Sequence, residues 1–415
     1  MTLFDEILAR FPPDVRDMVR AVWDSLDPNQ QFNFLSLLSA FPTDAKLVRV
    51  LMKLATTQVR QAFGNKRRVA IVGPTNVGKS TLYNQLVFSP QDEAKVSPLP
   101  GTTREVQQAD ALLFTVVDTP GADAVGQAGQ RERSLALTAA EGADFLILMY
   151  DAIQGIKVTE QEIFNELQAM KKPFIVLLNK IDLVARRDVE GVTIQAAQNL
   201  GLKPEQVIAI AAKDGKNLDK VLLAITVSEP AMMAALGQAL PQFRWKLAWR
   251  SIVSAASISA AIALAPLPVI DFIPLAATQS IMVLGIARIY NYAITPKRAR
   301  ELIATFGLGF LGRTIFQELS KFGGVPGWLL SAAIASSTTV VMGYAAVRWF
   351  EKGERLSSAA LRELTRSVTD TILEGLKGLG KRKPGRQSLQ ERISESLERS
   401  ALGENREELD KKVGK

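Results

Sequence analysis

Neither cysteine nor histidine occurs among the 415 residues of this chain. The first absence excludes disulfides and thiolate nucleophiles, and both together exclude Cys/His zinc sites and an imidazole base. Any chemistry must use oxygen ligands, lysine, backbone amides and water. Charge is modest as well: 22% of residues are charged against 47% hydrophobic, too apolar for a disordered chain. The net charge of +8 favours anionic partners without choosing among nucleic acid, acidic lipid and nucleotide phosphate. The opening segment MTLFDEILARFPPDVRDMVRAVW has early acids and no unbroken apolar run, so it does not read as a signal peptide. A cysteine-free chain is compatible with the cytosol.

This length suits two or three domains. Residues 1–66 read as a helical arm: Leu3, Phe4, Ile7 and Leu8 share a face, as do Val50, Leu51, Leu54, Val59 and Phe63, with prolines at 12, 13, 28 and 42 as breaks. From 67 to 228, short apolar runs alternate with helical stretches. RRVAIVG, ALLFTVVD, DFLILMYD, FIVLLNK and QVIAIAA read as strands. Such alternation implies crossover connections and an α/β domain with a mostly parallel sheet, whose ligands sit beyond the carboxyl ends of the strands. Residues 229–350 read as an apolar, Ala- and Ser-rich helical domain, and 351–415 as charged amphipathic helices with the basic break KRKPGR and a flexible tail.

The motifs fall at the strand ends. GPTNVGKS, residues 73–80, follows a buried strand and opens a helix, which satisfies both the spacing and the context of a Walker A loop. Gly73 and Gly78 let the backbone curl so that amides from Asn76 through Val77, Gly78, Lys79, Ser80 and Thr81 face a β-phosphate at a helix N-terminus. Lys79 is placed to neutralise the β- and γ-oxygens, and Ser80 to ligate Mg²⁺. DTPG follows, with Asp118 as a magnesium partner through water and the Gly121 amide as sensor of the γ-phosphate. In NKID, Asp182 presents two acceptors matching the guanine N1 and N2 donors, which adenine lacks. Lys180 can cover the base with its stem, and Asn179 can tie this loop to the phosphate loop.

In this order and context the motifs resemble the translation-factor-related small GTPases of the Era and TrmE type, over about 67–228. The resemblance implies a switch I segment in PGTTRE, with Thr103 the match for the threonine that closes on Mg²⁺ and Thr102 the runner-up. The fifth motif, usually Ser-Ala-Lys, reads Ala211-Ala212-Lys213, and the Ala212 amide is expected to bond the guanine oxygen. Ala122 stands where Ras-like enzymes carry the water-orienting glutamine, which implies slow intrinsic hydrolysis. Asn76 occupies the position where potassium-stimulated relatives bind a monovalent cation, so K⁺ is an expected activator alongside GTP/GDP and Mg²⁺.

Residues 251–270 and 272–287 carry no charge, and only Asp271 intervenes. Pro266, Pro268 and Pro274 divide the segment into arms of about 15 residues, roughly 22 Å each against a bilayer core of roughly 30 Å. A helical hairpin turning at PLPVIDFIP fits these lengths better than two spans. Arg244, Trp245, Lys246, Trp249 and Arg250 before it, and Arg288, Lys297, Arg298 and Arg300 after it, suit an anionic cytoplasmic surface. Residues 325–347 are long enough to span but contain five Ser or Thr. The other reading is a soluble helical domain whose small-residue faces pack closely. The P-L-P-x-x-D pattern and Gln279 look like the uncharacterised hydrophobic domain of YcjF-like inner-membrane proteins, which implies membrane association. The sequence thus predicts a GTP-hydrolysing switch at the cytoplasmic face of a membrane, with self-association or a protein partner. A soluble RNA- or ribosome-associated GTPase, or a GTP-binding scaffold with negligible turnover, is the alternative.

Overall fold

The computed structural model describes residues 3–9, 16, 20, 23–24, 31, 68–86, 106–109, 112–119, 127–264, 272–292, 327–376 and 384–399. The chain divides into two compact units, Lys66–Phe243 and a second made of Met1–Asn65 with Arg244–Lys415. Thr102, Thr103, Gly121, Ala122, Asp271, the hairpin turn and the basic residues at 297–300 lie outside the described residues.

In the second unit a short helix, α1 (Leu3–Leu8), buries Phe4 and Leu8, and Phe4 stacks on Trp23 at 3.9 Å. Among its described residues the Lys66–Phe243 unit has six strands: β1 (Arg68–Pro74), β2 (Val106–Ala109), β3 (Leu112–Thr119), β4 (Phe145–Asp151), β5 (Phe174–Asn179) and β6 (Val207–Ala209). Their spatial order is β2-β3-β1-β4-β5-β6, parallel except for β2, which runs antiparallel to β3 at the edge. The five expected strands are present, and β2 is additional. Its sequence, VQQA, has no apolar run by which it could be recognised.

Residues of β1 and β4 are almost wholly buried, which is why both read as continuous apolar runs. Helix α2 (Lys79–Leu86) follows β1 and buries Leu82, Tyr83 and Leu86, with Tyr83 edge-on to Phe114. Helices α3 (Gln127–Gly142), α4 (Val158–Ala169), α5 (Val189–Asn199) and α6 (Leu218–Ser228) supply the remaining cover. Ala136, Ala140, Ile163, Phe164, Leu167, Ala196 and Ala197 share one core with Leu146, Leu148 and Val176. This unit runs on to Phe243 rather than ending at 228: the short helix α7 (Met233–Ala239) is almost entirely buried, and Gln242 donates to the Leu86 carbonyl at 3.3 Å.

Among the described residues, five further helices belong to the other unit: α8 (Arg244–Ala263), α9 (Phe272–Ile289), α10 (Gly327–Lys352), α11 (Ser358–Leu376) and α12 (Arg386–Glu398). Helix α8 packs on α9, α10 and α12, while α10 also meets α9 and α11. The charged C-terminal helices are therefore part of this bundle. At 20 and 18 residues, α8 and α9 are longer than the expected arms, about 30 Å and 27 Å. Pro274 is the third residue of α9, where its missing N–H costs no helical hydrogen bond. Among the described residues α10 alone is long and apolar enough to cross a membrane, or two elements if the bent pair Leu218–Ser228 and Pro230–Ala239 counts as one. Nearly nine-tenths of its most apolar stretch is buried by its neighbours.

Candidate nucleotide site

The strand order reverses around β1, with β3 on one side and β4 on the other, so the crevice at the carboxyl end of β1 is where a ligand of a parallel sheet belongs. The phosphate loop leaves the sheet there. Gly73 fits only as glycine, since a Cβ would lie 2.1 Å from the Met149 carbonyl oxygen on β4. Asn76 sits at φ 64° and Gly78 at φ 98°, and both reverse the chain in the left-handed region before α2. A side chain on Gly78 would also strike Asn179.

Lys79, in the first turn of α2, is buried. Its ammonium donates to the carbonyls of Gly73 at 2.8 Å and Pro74 at 2.6 Å and pairs with Asp118, so its three donors have three oxygens. Burial holds this lysine below its ordinary pKa, and Asp118 opposes that shift. Asp118 comes into reach because β1 and β3 are in register, Gly73 opposite Asp118. Ser80 and Thr81 follow Lys79 in the same first turn and are half-buried, and Val77 beneath them is buried.

The base-recognition side is braced by Asn179, which is buried. Its amide donates to the Val77 carbonyl at 2.7 Å, and its oxygen accepts from the Ala212 amide at 2.8 Å. One side chain therefore fixes both the phosphate loop and the fifth-motif loop. The Ala212 amide, the expected donor to a guanine oxygen, is thereby held in the same bracing contact as the phosphate loop. Ala211 and Lys216 bridge the ends of this loop, and Gln85 donates to the Lys213 carbonyl at 3.2 Å. Lys180 holds φ 70°, and Asp182 lies exposed in the single helical turn after it.

The sequence reading missed Asp151. It ends β4 opposite Asn179 on β5, is buried, and pairs with Lys180 at 2.6 Å. An acid at a strand end carries no signal alone, but the shared terminal position of two parallel strands does. The structure thus assembles Gly73, Asn76, Val77, Gly78, Lys79, Ser80, Thr81, Asp118, Asn179, Lys180, Asp182, Ala212 and Lys213 at the carboxyl end of the sheet. It also shows the tryptophan and arginine flank of α8 used in packing: Trp245 meets Tyr344 edge-on, Arg244 lies 5.9 Å from the Tyr290 ring centroid, and Arg250 pairs with Glu398 at 2.7 Å.

Among the described residues no three Asp, Glu, His or Cys side chains gather as a metal cluster. Ser80 and Asp118 are hard oxygen donors beside Lys79. That pair suits Mg²⁺, which takes few protein ligands and completes its shell with water and phosphate.

Known proteins share these features. Residues 68–180 match the family described as 50S ribosome-binding GTPase, and residues 231–377 match the domain of unknown function DUF697. The chain is 36% identical over 224 residues to the tRNA modification GTPase MnmE of Picosynechococcus, covering 49% of this chain and 47% of that protein. It is 33% identical to GTPase Der of Deinococcus deserti, covering 40% and 36%, and 32% identical to GTPase Era of Afipia carboxidovorans, covering 39% and 53%. The chain spans about half, or less, of the length of the curated relatives it matches. Over residues 68–180 the chain is thus similar to the P-loop GTPases Era, MnmE and Der, and over 231–377 it matches the DUF697 domain.

Proposed function

We propose that this chain is a Mg²⁺-dependent GTP-hydrolysing switch whose helical unit delivers its output at a membrane surface. The observation that carries the switch is the convergence of Lys79, Asp118 and Asn179 on one strand-end crevice, through contacts a bare glycine turn would not need. Lys79 keeps its two carbonyl bonds and exchanges Asp118 for phosphate oxygens, so that Ser80 and Thr103 would hold Mg²⁺ directly and the freed Asp118 would hold it through water. Bound Mg²⁺ supplies charge compensation on the phosphates. Asp182 selects guanine, and the fifth-motif loop of Ala212 and Lys213, with the Ala212 amide as donor, serves the guanine oxygen. Thr103 and Gly121 close on the γ-phosphate side, so that its loss releases both segments. Ala122 makes turnover slow, and K⁺ at Asn76 restores part of the rate.

Two uncharged apolar runs and the 26-residue apolar α10 support the membrane output. The cytoplasmic face is supported by the basic residues Arg288, Lys297, Arg298 and Arg300 that follow those runs in the sequence, while Arg244 and Arg250 before them are engaged in packing. The second reading, an RNA- or ribosome-associated GTPase, is favoured by the matched family's description and by the tRNA-modifying relatives.

Purified protein should bind GDP and GTP far better than ADP and ATP and turn over GTP faster in K⁺ than in Na⁺. Equal affinity for adenine nucleotides would end the switch reading. Flotation with anionic vesicles should separate the GTP- and GDP-loaded forms. Equal flotation of the two, with nucleotide-dependent retention on ribosomal RNA, would transfer the output to RNA.

A further inference from the structure

The structure assigns Asp151 a role in this same site: we infer that its carboxylate is the positioning group that holds Lys180 over the purine and thereby sets the release rate of guanine nucleotide. The inference rests on the guanine reading and adds a residue outside the recognised motifs.

Two independent sets of contacts meet on this side chain. Its Oδ2 accepts from the Lys180 ammonium at 2.6 Å. Its Oδ1 accepts from the amides of Ile153 at 2.7 Å and Gln154 at 3.3 Å. A carboxylate that is only 4% exposed needs such donors, because an unpaired buried charge is strongly destabilising. The loop after β4 is tied in further by the Ala152 amide, which donates to the Asn179 carbonyl at 2.9 Å.

Lys180 has reasons to need a fixed partner. Its backbone lies in the left-handed region at φ 70°, which a β-carbon disfavours, and its four-carbon stem has many rotamers to lose. Both costs fall on the residue whose stem is to lie flat on a base. Asp151 anchors the far end of that stem from the neighbouring strand, where the register of β4 and β5 places it opposite Asn179. Asn179 then fixes where the recognition loop leaves the sheet, and Asp151 fixes how its second residue points.

The test measures dissociation of fluorescent GDP from the full chain carrying D151N, K180M, or both. Asparagine keeps an oxygen for the Ile153 and Gln154 amides and removes the charge that attracts the lysine. Methionine keeps an apolar stem for the base and removes the ammonium. The expected result is faster GDP release, about tenfold for either single variant and no more for the double, as coupled neighbours behave. Wild-type release from D151N, or two variants whose effects multiply, would overturn the inference. If D151N fails to melt cooperatively, K180R decides instead: arginine still reaches the carboxylate and must recover at least half of the logarithmic loss seen in K180M, and no recovery refutes the role. Wild-type protein that fails to prefer GDP over ADP defeats the guanine reading itself, which separates the two failures.

Discussion

The two units bury polar side chains of different kinds. In the nucleotide-binding unit the buried polar residues include Lys79, Asp151, Glu160 and Glu229, all ionisable, with Asn179 beside the first two. In the helical unit they are serines, threonines and Gln279, and among its described residues no charged side chain is buried. Charge is kept inside only where a ligand or a loop justifies its desolvation, since an isolated buried ion is prohibitively costly. Hydroxyls are cheap by comparison: Ser336, Thr338 and Thr339 return a hydrogen bond to a carbonyl of their own helix, and their small size lets backbones approach.

The largest effect that tests this contrast is Lys79→Ala. Removing a buried, hydrogen-bonded charge should weaken GTP binding by about 3 kcal/mol, on the order of 100-fold, in a calorimetric titration. All five tryptophans, at 23, 245, 249, 328 and 349, belong to the helical unit. Their fluorescence melt should therefore stay at its wild-type temperature in this variant. A shifted tryptophan melt would show that the two interiors are energetically coupled.

Gly343→Val addresses the other interior. A Cβ on Gly343 in α10 would stand 2.4 Å from Ile252 Cγ1 on α8, so a β-branched side chain must push the helices apart. Overpacking of this kind should cost about 2–3 kcal/mol and lower the tryptophan melt, while GDP affinity measured on the same sample holds. Lost GDP affinity would break the contrast between a ligand-bearing unit and an independent bundle.

How much of this was legible beforehand differed between the units for the same physical reason. Strands buried on both faces read as unbroken apolar runs, and left-handed turns and tight crossings read as Gly73 and Gly78, so the sheet and the phosphate loop were plain in the sequence. Contacts made across strands were not, since Asp151 and the Ala212 amide acquire their roles only from register. The 230–243 segment looked like the start of the apolar domain because it shares that domain's alanine-rich, apolar composition, yet its helix is buried in the first unit. In the helical region an apolar stretch looks alike whether lipid or neighbouring helices cover it. Arg250 gave no sign in the sequence that Glu398 would be its partner.

Glu160 offers a pH test. It is buried near Tyr150 and Asp151, and burial raises its pKa above the ordinary 4.5. A carboxyl whose folded pKa is raised binds its proton more tightly in the folded chain. Its contribution to stability is therefore full below about the ordinary value and is lost as pH rises through the folded one. Glu160→Gln keeps an oxygen for the Lys157 amide, now 3.2 Å away, and cannot ionise. It should raise the melting temperature of the nucleotide-binding unit by a few degrees at pH 8, with the gain shrinking towards pH 4. A gain independent of pH would mean that packing rather than ionisation is the cause.

The smallest expected effect bears on Gln279, a buried amide of the bundle. Gln279 Nε2 donates to Thr339 Oγ1 at 3.0 Å, while its own Oε1 is buried with no hydrogen-bond partner among the described residues. Thr339 does not depend on it, because its hydroxyl also lies 2.7 Å from the Ala335 carbonyl and 2.9 Å from Ser259 Oγ. Removing a half-satisfied amide thus trades one bond made for one desolvation penalty relieved, and the two are of similar size. Gln279→Met, close in shape and wholly apolar, should shift the stability read by tryptophan fluorescence by less than about 0.5 kcal/mol in either direction. A loss of several times that would mean that Oε1 is satisfied in solution, and that this interior, like the other, is organised around a polar centre and not only around close packing.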